Sequence, residues 1–286
     1  MEKTTSGWIN GFIGVAIFAG SLPATRVAVS GFDPTFLTGA RASIAALLGL
    51  ALLLALRQAW PQRSDVPALA VTALGVVVGF PLLTALALQH VTSAHSIVFL
   101  GVLPLCTAIF AVLRAGERPR PAFWLFSAVG AGFVVGYAAL GGIEASLRGD
   151  LLMLAAVVVC GLGYAEGARL SRTLGGWQVI SWALVLALPV MLPITLLTMP
   201  AAFGHVSVPA WIGLAYVSLF SMLLGFVFWY RGLAQGGIAS VGQLQLFQPF
   251  MGFGLAALLL HEPVSPTMLA ATLAAVVCVA GAKKYA

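Results

Sequence analysis

Ten apolar runs, each about 20 residues long, follow one another along the chain with short polar breaks between them. They lie at residues 7–28, 35–56, 67–88, 93–113, 121–140, 149–170, 177–198, 209–229, 238–259 and 266–283. That length suits a helix crossing the hydrocarbon core of a bilayer. The breaks carry helix-starting residues: Asp33-Pro34 ahead of the second run, then Pro67, Pro121, Asp150, Pro209 and Pro266 ahead of the third, fifth, sixth, eighth and tenth. Proline costs little in a first turn, where its missing N–H would have no intrahelical partner. The first run is too long for a signal peptide and ends at Arg26 without a small-residue cleavage site, so it reads as a helix.

Composition narrows the class further. Apolar residues make up 61% of the 286 and charged residues 8%, against about 45–50% and about 25% in soluble proteins. A soluble fold could not cover its surface with so few charges. A membrane barrel is excluded too, because its strands would alternate polar with apolar. The expectation is an all-α integral membrane protein with ten transmembrane helices, embedded in a lipid bilayer. The net charge of +6 does not imply a nucleic-acid partner, since the basic residues sit in the breaks and form no helix face or aromatic platform. Cys106, Cys160 and Cys278 lie inside apolar runs without paired spacing, so they read as packing residues. Neither a metal nor a cofactor is expected.

The charges also orient the chain. Lys3, Arg57, Arg63, Arg114, Arg118, Arg120, Arg172, Arg231, Lys283 and Lys284 fall on one side, with Arg169 on the last turn of the sixth run. Arg148 falls on the other, near Glu144, Asp150, Asp33 and Glu262. By the positive-inside rule both termini are expected in the cytoplasm.

The sequence then repeats itself. An offset of 145 positions pairs Leu88 with Leu233, Ala94 with Ala239, Pro104 with Pro249, Leu113 with Leu258, Glu117 with Glu262 and Pro121 with Pro266. Near the first and sixth runs an offset of 143 pairs Gly20 with Gly163 and Arg26 with Arg169. Residues 1–145 and 146–286 are therefore expected to be two five-helix repeats. Five is odd, so the second copy enters the membrane from the opposite side. Inverted repeats of this kind characterise secondary transporters, whose sites lie between the halves near the midplane.

The stretch from Ala87 through Pro104 to Glu117, and its counterpart from Gly232 through Pro249 to Glu262, resembles the signature of the EamA type of the drug/metabolite transporter superfamily. The matching elements are Leu103-Pro104 and Gln248-Pro249, then Gly116-Glu117 and His261-Glu262. Arg41 inside the second run also resembles a family feature. The resemblance implies a basket of ten helices working by alternating access, with helices one to four and six to nine around a central cavity. It further implies export of small metabolites across a bacterial inner membrane. Within the family the chain looks most like the exporters of aromatic and other amino acids.

Candidate site residues follow, each with its plainer reading. Pro104 and Pro249 sit mid-run, where proline removes a backbone hydrogen bond, and are expected to kink a helix at a cavity or gate. Gln243, Gln245 and Gln248 put three amides in one helix, either to bind a polar substrate or to join packed helices. His95 and Phe99 lie one turn apart on the fourth run; His95 is a proton carrier or a solvated residue near the helix end. Ser21, Phe80 with Pro81, Thr84, Tyr164 and Phe247 complete the expected substrate pathway, although aromatics in membranes more often pack or anchor. Glu166 is expected to pair with Arg169. Arg41, two turns into its helix, needs an acid, freed carbonyls or an anionic ligand. The spacings Gly75/Gly79, Gly132/Gly136 and Gly163/Gly167 fit helix packing or a homodimer.

Rival functions lack their residues. Neither H-E-x-x-H nor G-x-S-x-G occurs, and the aspartates sit at loop or boundary positions, so an intramembrane enzyme is a distant alternative. A phosphate-bearing substrate would call for more intramembrane basic residues. The multidrug, cationic-compound branch of the same superfamily is the nearer alternative, but such a substrate would want a midplane carboxylate. The remaining expectation is a transporter of small metabolites, best suited to amino acids including aromatic ones.

Overall fold

The computed structural model describes residues 2–115, 120–139, 146–236 and 241–285. Among these the ordered elements are all helical. Six helices are long and apolar enough to cross a membrane: Thr5–Ala28, Pro34–Ala55, Val66–Ala87, Leu147–Leu174, Gly176–Leu197 and Val208–Leu233. They are the first, second, third, sixth, seventh and eighth spans. The fourth consists of Ser93–Leu100 and Leu103–Ala115, and the fifth is Pro121–Ala139. The ninth joins a 3₁₀ turn, Gly242–Phe247, to Gln248–Leu260; the tenth is Pro266–Lys284. Large apolar side chains such as Leu54, Leu74, Leu197 and Leu258 remain exposed on the outside of the bundle, where lipid covers them.

Two helices outrun their apolar stretches. The sixth continues to Leu174, past Arg169 and Arg172, and stops at Gly175, whose φ of 93° suits only glycine. The eighth continues to Gly236 through Arg231 and Gln235. Hydropathy marks where a helix leaves lipid, whereas the hydrogen-bond ladder runs on in water until a terminator appears.

Pairs of spans pack by a rule that survives exchanging the halves. The first lies against the eighth and the third against the sixth; the fourth meets the sixth and the ninth meets the first. The second pairs with the seventh, the fourth with the ninth and the fifth with the tenth. Adding five to a span number, or subtracting it, leaves this list unchanged. Glycines set the closest approaches in both copies. A Cβ on Gly75 would stand 2.7 Å from the Cα of Gly163, and one on Gly232 would stand 2.8 Å from the Cα of Gly11. A Cβ on Gly132 or Gly136 would meet nothing within 4 Å. Both termini emerge on one face of the bundle, here the terminal face; the opposite one is the far face.

The helices break where the halves meet, in pairs for the third with the eighth span and the fourth with the ninth, while the first breaks and its mate, the sixth, runs on unbroken. Pro23 lacks an N–H and its ring crowds the carbonyl four residues back, so the first span turns at Gly20 between Glu2–Ala19 and Ser21–Ala28. The third and eighth spans both widen into π-helix, at Ala73–Gly79 and Tyr216–Leu224. Each segment ends on an i→i−5 bond, Phe80 N–H to the Gly75 carbonyl and Gly225 N–H to the Phe220 carbonyl. These bonds are related by the 145-residue offset. Pro81 accounts for the first; no proline accounts for the second. Where sequence reading expected mid-helix kinks at Pro104 and Pro249, the fourth and ninth spans instead change helix. Leu103 and Gln248 each open a new α-helix immediately ahead of the proline, placing it in a first turn where it costs little.

Candidate functional site

Every one of these breaks borders a central cavity between the halves. The first span contributes Phe18, Ser21 and Leu22, the third Val76, Phe80 and Pro81, and the fourth Leu100 and Leu103. From the other half come Cys160 and Tyr164, then Ser221, Met222 and Phe226, and finally Gln248. Several lining positions are repeat mates: Val76 with Ser221, Pro81 with Phe226, Leu103 with Gln248, and Ser21 with Tyr164. Symmetric positions thus carry unlike chemistry, and one wall becomes polar while the other stays aromatic.

Arg41 dominates the polar wall. Asp33 starts its helix by accepting the N–H groups of Thr35 at 2.7 Å and Phe36 at 3.3 Å. Gly39 of that helix packs against Thr195 and Met191 of the seventh span. Two residues on is about 200° around a helix, so Arg41 points away from the seventh span and into the cavity. It is 4% exposed. Its Nη2 donates to Ser221 Oγ at 3.3 Å, Ser221 and Ser21 share a hydroxyl–hydroxyl bond of 2.7 Å, and Arg41 Nε has no partner. No carboxylate lies among the lining residues. Across from this wall, Phe226 packs on Phe18 at 4.9 Å and on Tyr164 at 5.9 Å between ring centroids. The cavity is narrow, about 20 Å³, where one water needs ~10–15 Å³.

Sequence reading named Ser21, Arg41, Phe80, Pro81, Tyr164 and Gln248, and the structure brings these six to one cavity. Other candidates lie elsewhere. Thr84 is buried, its hydroxyl donating to the carbonyls of Phe80 at 2.8 Å and Pro81 at 3.1 Å. In a 3₁₀ turn side chains at i and i+3 eclipse, so Gln245 is buried beside Gln248 with its Nε2 unpartnered, while Phe247 is 58% exposed on the lipid side. Phe247 is therefore not a cavity wall, a correction that follows from the turn type. Pro249 is buried in the first turn after the 3₁₀ segment. Glu166 is fully buried and paired with Arg169 at 2.8 Å. Glu117 and the side chains of Pro104 and Gln243 lie outside the described residues. Phe18, Val76, Ser221, Met222 and Phe226 were missed. Ser221 could have been found as the repeat mate of Val76 only if the π segment had been foreseen.

His95 is not solvated. It is 1% exposed near the far face, with Phe99 against it at 5.9 Å. Its Nε2 lies 2.6 Å from Asp150 Oδ1, and its Nδ1 lies 3.0 Å from the hydroxyl of Tyr137. Nearby, the carboxylate of Glu262 accepts the Ser93 hydroxyl at 2.6 Å and the N–H groups of Ala94 at 2.7 Å and Ser93 at 3.2 Å. It caps the fourth span from the other half of the chain.

Comparison with known proteins gives the lineage. The chain is 64% identical over 286 residues, all of both chains, to "Uncharacterized transporter YdeK" of Bacillus subtilis. It is 26% identical over 228 residues to a "Probable terminal-alkyne amino-acid exporter" of Streptantibioticus cattleyicolor, covering 79% of this chain and 76% of that one. A solved crystal structure shares the fold with a TM-score of 0.68 at 21% identity, covering 98% of both chains. The model of the EamA-like transporter family matches twice, at residues 5–138 and 147–282. With ten spans in two inverted halves around a central cavity, the chain belongs to the EamA-like transporter family.

Proposed function

We propose that this transporter exports amino acids, aromatic ones included, across a bacterial inner membrane, with both termini in the cytoplasm and the far face outside. The observation that carries the reading is Arg41: a buried guanidinium at the cavity with one hydroxyl contact, an unpartnered Nε and no acid among the lining residues. A buried charge is costly until it is paired. A guanidinium is shaped for bidentate binding of a carboxylate, and Ser221 and Ser21 stand ready to donate to the same group. The amide oxygen of Gln248 suits the ammonium, and Phe18, Tyr164 and Phe226 suit an apolar or aromatic side chain. A cationic compound would meet Arg41 as a like charge, which counts against the multidrug alternative. The name of the Streptantibioticus relative supports the same substrate class. A contracted cavity bordered by paired helix breaks is what alternating access requires: the walls move apart to admit substrate from one face, then the other.

The test is uptake of labelled phenylalanine by purified protein in liposomes. Uptake above empty vesicles should be competed by other amino acids but not by phenethylamine, which lacks the carboxylate. Arg41→Gln should weaken phenylalanine binding about 10–100-fold, the worth of a hydrogen-bonded charge pair of ~1.5–3 kcal/mol. Equal competition by phenethylamine, or full binding in folded Arg41→Gln protein, would falsify the carboxylate-anchor reading.

A further inference from the structure

The cluster of His95, Asp150 and Tyr137 takes no part in the cavity chemistry, yet it is built for a ligand of its own. We propose that it is a proton-binding site whose occupancy holds the far face closed. The proposal uses the transporter reading only in that the far face must open and close; it does not depend on the substrate.

The geometry specifies two charge states. An ionised Asp150 only accepts, so the imidazole Nε2 must carry the hydrogen in the 2.6 Å contact. With a neutral imidazole, Nδ1 is a lone pair and the Tyr137 hydroxyl donates to it at 3.0 Å. The cluster then carries one net negative charge. When a proton from water binds to the Nδ1 lone pair, the tyrosine hydroxyl turns its hydrogen away and accepts from Nδ1–H instead. No bond breaks in the protein, and the cluster becomes a neutral imidazolium–carboxylate pair. Tyr137 can serve both states because a hydroxyl both donates and accepts. Imidazole is the side chain suited to gain and lose a proton near neutral pH.

Burial links this charge to the helix arrangement. His95, Asp150 and Tyr137 come from the fourth, sixth and fifth spans and are 1%, 7% and 8% exposed. A net charge in such a site favours any motion that lets water in, whereas a neutral pair favours closure. The helix carrying His95, Ser93–Leu100, is pinned to the other half by Glu262 at its first turn, and its last residue, Leu100, lines the cavity. It is a short rigid rod between the proton site, the closure between halves and the cavity wall.

Among the described residues, the other charges at this end are accounted for. The helix packs against the first, sixth, ninth and tenth spans and the second helix of the fourth. The first brings Arg26, whose Nη1 donates to the Leu88 carbonyl, and the sixth brings Arg148, which is exposed, besides Asp150. The ninth is followed by His261, exposed, and by Glu262 on the helix N-terminus; His90 precedes the helix and is exposed. The far-face end of the tenth, from Pro266 to Ala270, brings no charge. The second helix of the fourth span begins beyond Leu100 and brings Cys106. Among the described residues, Asp150 and Tyr137 are the titratable groups in contact with the imidazole.

The experiment places spin labels at Gln89 and Thr267, exposed far-face positions in opposite halves. The full chain is used in lipid nanodiscs, with the three native cysteines replaced by alanine. The inter-label distance should lengthen as the medium is taken from acid to alkaline. His95→Asn should abolish the dependence. A flat wild-type response overturns the proposal, as does an unchanged response in His95→Asn; should that variant misfold, the wild-type result and Tyr137→Phe, expected to blunt the response, still decide it. The readout needs no substrate. Phenylalanine transport without pH-dependent opening would remove the proton site alone, and opening without such transport would remove the amino-acid reading alone.

Discussion

Arg41 and Asp150 are both charged side chains buried in the same bundle, and the protein treats them in opposite ways. Asp150 has a close partner: an imidazole at 2.6 Å, itself held by a tyrosine hydroxyl at 3.0 Å. Around Arg41 the partners are incomplete: a serine at 3.3 Å and a nitrogen with nothing to bind. A met charge contributes to the fold, and removing its partner is costly; an unmet charge is tolerated at the expense of stability and waits for a ligand. The difference does not come from depth of burial, since the two residues are 4% and 7% exposed. It comes from what the neighbouring helices supply.

Stability measurements test that contrast directly, and the two sites should respond with opposite signs. Asp150→Ala leaves the imidazole without its acceptor. At acid pH, thermal unfolding in detergent should show a loss of about 3–5 kcal/mol, as for a broken buried pair. At alkaline pH an unsatisfied neutral N–H remains, and the loss should fall to about 1–3 kcal/mol. A loss independent of pH would mean that the imidazole never carries the charge. Arg41→Met should instead stabilise the fold by about 1–4 kcal/mol, the range seen when buried charges give way to apolar residues of similar volume. The same variant should lose phenylalanine binding. Destabilisation on that substitution would show that Arg41 is a structural residue with partners of its own.

The contrast also explains what the sequence could reveal. Spans and inverted halves were legible because lipid thickness and charge placement act locally along the chain. Arg41 and Gln248 were legible as candidates because polar groups among apolar ones stand out. Phe18, Phe226 and Met222 were not, since lipid is as apolar as a protein core and hydropathy does not say which face of such a helix turns inward. Ser221 was hidden by a π segment that shifts the helical phase, with no proline to announce it. Asp150 was read as a helix-start residue, and its contact with His95 spans 55 positions, beyond any local pattern.

The smallest contrast lies between neighbours on the ninth span. Gln248 lines the cavity, while Phe247, one residue earlier, is 58% exposed toward lipid. Sequence reading placed both on the substrate pathway, with helix packing as the plainer reading of the amide and packing or anchoring as that of the ring. The 3₁₀ turn of Gly242–Phe247 separates them, because it sets Gln245 and Gln248, three positions apart, on one side and turns Phe247 outward. Gln248→Ala should therefore weaken phenylalanine binding by about five- to tenfold, the loss of one hydrogen bond of ~1–1.5 kcal/mol. Phe247→Ala should leave binding unchanged within about twofold, since one lipid-facing side chain replaces another. Isothermal titration of both variants separates the two positions. Equal losses would mean that the ninth span rotates during transport, bringing Phe247 to the cavity in a state other than the contracted one.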